Sequence, residues 1–171
     1  MKTIKINLYK FEELSKEAKQ IALEKFSDIN VNYDWWKFTY EDAKNVGLKL
    51  KGFGLDRDKH AEGEFTLSAN EVAQNILNEH GEKCETYKTT ENFMSEWQPI
   101  FSDYMDEKHK NYESKESEDK LIDLEAQFLK DILKDYATML QNECEYLQTE
   151  ESIIETIEAN DYDFTIDGKL Y

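Results

Sequence analysis

Leu121, Leu124, Phe128, Ile132, Tyr136, Met139 and Leu140 recur at helical spacing, so a helix running from about Ser117 to Leu147 gathers them into one apolar seam. A helix of that length has to bury its seam on another element. Phe93, Met94, Trp97, Ile100, Phe101, Tyr104 and Met105 repeat with the same period and supply a partner. Between them, the charged segment DEKHKNYESKESEDK has almost no apolar residues and reads as a linker. It is long enough for an antiparallel return. The partner helix is expected to start near Thr89 or Thr90, and Pro99 to kink or restart it.

The N-terminal half reads differently. TIKINLYKF places Ile4, Ile6 and Leu8 on one side of a strand. Ser15 can cap a helix through about Ile29, with Ala18, Ile21, Ala22 and Phe26 on one side. YDWWKFTYEDAKNVG predicts a second helix, with Trp36, Tyr40 and Ala43 on one face and Gly47 as its stop. Trp35 and Phe38 lie around that helix, so it is either sandwiched between neighbours or meets a partner; the sandwich is the simpler reading. LKLKGFGL and GEFTLSA alternate as strands and predict a hairpin. Ser68 and Glu71 form a capping box for a helix that Gly81 ends. Near the C-terminus, Thr149 can cap a short helix carrying Ile153, Ile154 and Ile157, and Asp167-Gly168 marks a tight turn.

The predicted fold class is α+β: a small antiparallel sheet with helices, followed by a helical half that ends in a short hairpin. The 171 residues suit one domain or two units, an α+β unit over 1–88 and an acidic helical unit over 89–171. Aromatic residues make up 13% of the chain, which sets its low mean hydropathy of -0.82 apart from that of a disordered chain.

Charge is distributed unevenly. Residues 1–60 carry a net +2 and residues 61–171 a net -19. From Asp135 to Gly168 there are ten acids and no Lys or Arg. Such a field repels nucleic acid and anionic membranes and attracts basic surfaces. The bland reading is a solvated face. Against it, Glu151 and Glu155 sit at i, i+4 and Glu155 and Glu158 at i, i+3, where like charges cost about a few tenths of a kcal/mol per pair. Folding alone gives no reason to keep that repulsion. Glu150, Glu151, Glu155, Glu158, Asp161 and Asp163 are therefore the candidate partner-binding residues.

Catalytic and metal motifs are weak by comparison. His60, Glu62 and Glu64 fall on one face of a strand, but zinc needs a further ligand at a set spacing. His80 and Cys84 form a second weak pair. DYDFTIDG puts Gly168 at position 8 of a calcium loop rather than position 6, so the EF-hand reading fails. No phosphate-binding or nucleophile motif is present, and no cofactor or catalytic residue is expected. Cys84 and Cys144 suggest a reduced, cytoplasmic setting. MKTIKINLYKFEEL has no long apolar run, so neither a signal peptide nor a membrane span is expected.

DWWKFTYEDAKNVGLKLKGFGLDRDKHAEGEF and IEANDYDFTIDGKLY resemble uncharacterised acidic proteins carried by phages and mobile elements of bacteria, and the resemblance covers most of the chain. Small acidic phage proteins of this type look like anti-restriction or anti-CRISPR inhibitors. The resemblance thus implies a non-enzymatic inhibitor in the host cytoplasm. Its acidic C-terminal half would occupy a basic, nucleic-acid-binding surface of a host protein, with no direct nucleic-acid contact; a homodimer is compatible with it. The basic-leaning first sixty residues depart from a uniformly acidic DNA mimic. The alternative is a small-molecule sponge or enzyme built on the N-terminal unit, with Trp35, Arg57 and His60 near its pocket.

Overall fold

The computed structural model describes residues 5–109 and 115–171. Within them lie six α-helices and one two-stranded antiparallel sheet, an α+β architecture with its sheet in the N-terminal half and helices dominating the C-terminal half. The chain forms two compact units. One joins Met1–Trp35 to Asn142–Tyr171, and the other spans Trp36–Gln141. These divisions fall elsewhere than the boundary expected after residue 88.

The central unit contains α2 (Lys37–Val46), β1 (Leu48–Gly54), β2 (His60–Phe65), α3 (Ala69–Glu79), α4 (Glu85–His109) and α5 (Lys115–Leu147) as far as Gln141. Gly47 ends α2 in the left-handed conformation at φ 94°, which glycine adopts without a Cβ penalty. β1 turns Leu48 and Leu50 inward and Lys49 and Lys51 outward. An irregularity between Leu50 and Gly52 shifts the register, so Gly52 pairs with Glu62 and Gly54 with His60. At Gly63 a Cβ would stand 2.7 Å from the Lys49 carbonyl oxygen and 3.0 Å from Leu133 Cδ2, so the sheet meets α5 where there is no side chain. Ser68 and Glu71 form the expected capping box on α3.

The long seam is one helix, α5, and it lies on α4 as the periods demand. Phe128 stacks on Phe93 with ring centroids 4.0 Å apart, Trp97 Nε1 donates to Glu125 at 3.1 Å, and Thr89 Oγ1 donates to Asp135 at 2.7 Å. Several expectations need correction. α4 begins at Glu85, earlier than Thr89, and continues through Pro99 without restarting. Most of the expected linker is helical, since α4 reaches His109 and α5 begins at Lys115; residues 110–114 lie outside the described residues. Phe101, Met105 and Met139 are exposed despite their place in the periodic pattern. Phe38 is 78% exposed, while Trp35 precedes α2 and is buried, so the sandwich reading does not describe this helix.

In the terminal unit, α1 (Lys16–Lys25) is capped by Ser15 and α6 (Glu150–Ala159) by Thr149. Phe11, Leu14, Ala18, Ala22, Ile153, Ile157 and Phe164 form its core. α1 stops before Ile29, and Ile21 is exposed. Buried Asn30 follows the helix end. Its Nδ2 donates to the Leu147 carbonyl and to Ser152 Oγ at 3.1 and 3.0 Å, and Thr156 donates to its Oδ1 at 2.7 Å. An amide so fully satisfied holds residues 26–32 in turns. The N-terminal strand is not formed among the described residues. Ile6 and Leu8 are exposed, Ile4 lies outside the described range, and only Tyr9 makes a bridge, to Phe164. The closing hairpin is minimal: Phe164 bridges to Leu170 across a turn with Gly168 at φ 79°.

Candidate functional site

Thr149 starts α6 by accepting from the Ser152 N–H at 3.2 Å, and this fixes which face of the helix is buried. Ile153 and Ile157 turn inward. Glu150, Glu151, Glu155 and Glu158 all remain exposed. Among the described residues no cation comes within ion-pair distance of any of these four. The field of this face is felt nearby. Tyr146 Oη lies 3.5 Å from Glu155 Oε2, and Glu155, followed by desolvation and Glu151, pushes the Tyr146 phenol above its ordinary value.

Asp161 and Asp163 are placed differently. Lys10 Nζ bridges them at 2.7 and 2.8 Å and also donates to the Asp161 carbonyl at 2.8 Å. The reciprocal hydrogen bonds between Tyr9 and Phe164, each 2.9 Å, bring Lys10 to this position. Of the six candidates, the four glutamates therefore share an uncompensated helix, while the two aspartates neutralise a lysine from the other end of the chain. Asp167 is paired as well, with Lys169 at 2.6 Å, and that ammonium holds its carboxyl down to about 2. Asp135, the first acid of the run, belongs to the central unit.

The other sequence candidates are dispersed. His60 Nε2 lies 4.0 Å from Glu62 Oε1 and its Nδ1 2.8 Å from the Asp58 carbonyl, but Glu64 is taken by Lys51 at 2.6 Å, so the three do not converge on one point. Among the described residues no three His, Cys, Asp or Glu side chains are grouped to hold a metal. Cys84 is exposed, whereas the neighbouring His80 side chain is only 8% exposed. Arg57 and His60 are exposed at the hairpin of the central unit; Trp35 is buried in the terminal unit.

A cluster that sequence reasoning missed lies in the central unit. Tyr136, fully buried on α5, donates to Asp42 Oδ2 on α2 at 2.7 Å. His80, at the C-terminal end of α3, has Nε2 3.4 Å from Asp42 Oδ1 and Nδ1 2.7 Å from Thr86 Oγ1. The His80 imidazole, helped by the Tyr136 hydroxyl, holds the Asp42 carboxyl below its ordinary value of 3.8. Burial, then the hydrogen bond to Asp42, raises the Tyr136 phenol far above the usual range, so it remains a donor. Asp42 is thus more acidic folded than unfolded, and its stabilising contribution is present above pH 3.8 and fades as the pH falls through the folded value. The stability gap between wild type and Asp42→Asn should therefore narrow on acidification from pH 6 to about pH 3, as read from thermal melts.

A groove between α4 and α5 has a volume of about 280 Å³. No family model, curated protein or solved structure matches the chain. Among the described residues no helix is long and apolar enough to cross a membrane. The functional reading is accordingly carried by side-chain geometry and charge.

Proposed function

We propose that this protein captures a basic, nucleic-acid-handling host protein with the acidic face of α6, in the manner of a phage-type anti-defence inhibitor. The observation that carries the reading is the exposed row Glu151, Glu155 and Glu158, joined at the helix start by exposed Glu150, with no cation in ion-pair range among the described residues. A capped helix packed through Ile153 and Ile157 displays these acids on a fixed backbone, which limits the ordering cost on association. Glu151 and Glu155 are separated by about 6 Å along the helix axis. Two phosphate steps along one B-DNA strand cover about 6.8 Å. A basic groove shaped for a nucleic-acid backbone would meet a comparable row of charges here. Asp161 and Asp163 contribute less to this surface, because Lys10 already compensates them.

The test is capture from host lysate by the wild type and by the variant Glu151→Gln/Glu155→Gln/Glu158→Gln. The variant should keep its melting temperature or gain slightly, since relieving like-charge pairs is worth about a few tenths of a kcal/mol each. It should hold the partner about tenfold more weakly, equivalent to about 1.4 kcal/mol. For the wild type, added salt should slow association more than it speeds dissociation. Unchanged affinity of the variant at low salt would reduce the face to a solvated surface.

A further inference from the structure

We infer that the groove between α4 and α5 is a binding site for a linear alkyl polyamine. Phe93, Phe128 and Leu124 form its floor, and the first two are stacked and buried. Carboxylates follow one another along its length. Asp135 lies beside Thr89 at one end, Asp131 comes one turn earlier on α5, and Glu96 stands on α4 toward the other end. Asp131 and Asp135 are about 6 Å apart along the helix axis, close to the spacing of two ammonium groups joined by a four-carbon chain. The methylenes of such a ligand would lie over the apolar floor while its ammonium groups meet the carboxylates. Lys134 is the one cation among the residues lining the groove.

Asp135 shows why the groove calls for a cation. It is half-buried and accepts a hydrogen bond from the neutral hydroxyl of Thr89. Burial raises its carboxyl above the ordinary value; the Thr89 hydrogen bond and the Lys134 charge oppose that shift, while Glu85 and Asp131 add to it. No Lys or Arg among the described residues comes within ion-pair distance of it. A bound ammonium would offset the desolvation of this carboxylate. A diamine or triamine also suits the groove, whose acids are spaced along two neighbouring helices.

Spermidine is the probe, titrated at constant ionic strength and followed by amide chemical shifts and calorimetry. Saturable one-to-one binding is expected, with shifts concentrated in residues 89–96 and 124–135. Asp135→Asn/Glu96→Gln should weaken it at least tenfold. Asn92→Lys, which adds a cation at an exposed position on the rim, should do the same even if the double variant folds poorly. The triple glutamine variant of α6 should bind spermidine as the wild type does. Shifts spread equally over α6, equal loss in the α6 variant, or no saturation would each overturn the site and leave polyamine as a general counterion.

Discussion

Phe128→Ala is expected to lower the unfolding free energy by about 3–5 kcal/mol. The Phe128 ring is 2% exposed, stacks on Phe93 at 4.0 Å and leans on Phe65 at 5.5 Å. It thereby joins α5 to both α4 and β2. Removing it leaves a cavity beside Ile132, which is fully buried, and surroundings held by three elements cannot collapse into it easily. Chemical denaturation, with the midpoint and slope fitted separately, measures the loss. Phe128→Leu should recover a large part of it, because volume rather than aromaticity dominates the cost. A loss below about 1 kcal/mol for the alanine variant would mean that the Phe93–Phe128 stack does not organise this core.

Gly168→Ala should damage the terminal unit severely. Gly168 adopts φ 79°, and a Cβ there would collide with the Ala18 carbonyl oxygen and stand 2.9 Å from its carbonyl carbon. The obstacle is backbone of α1, so no side-chain rotation can relieve the clash. The left-handed conformation alone costs a non-glycine residue about 1–2 kcal/mol. With displacement of α1 added, the total should exceed about 2 kcal/mol. Hydrogen exchange reads the result by location. Protection should fall in α1 and α6, while amides of α3 in the central unit keep theirs. Wild-type protection in α1 would contradict the close approach of Gly168 to Ala18.

The sequence by itself determined whatever acts within one turn of helix. Ser15, Ser68 with Glu71, and Thr149 cap their helices because a side-chain oxygen and an N–H three residues later meet through local geometry. Gly47 stops α2 for a similarly local reason, and the α5 seam follows from spacing on a single helix. Glu151, Glu155 and Glu158 of α6 were legible in the same way: its apolar positions fix which face is buried, and these acids fall on the other, while Glu150 is exposed at the helix start. Tertiary structure decided the rest. Lys10 reaches Asp161 across 151 positions, and Tyr136 reaches Asp42 across 94. Neither pairing leaves a trace in local composition. The end of α1 also depends on distant groups, since Asn30 is satisfied by Leu147, Ser152 and Thr156. Tyr9 carries Lys10 to the aspartates only because its backbone pairs with Phe164. Capping and periodicity are set by bond geometry over a few residues. Which charge finds a counterion, and which polar group is buried with a partner, is set by how remote segments fold onto one another.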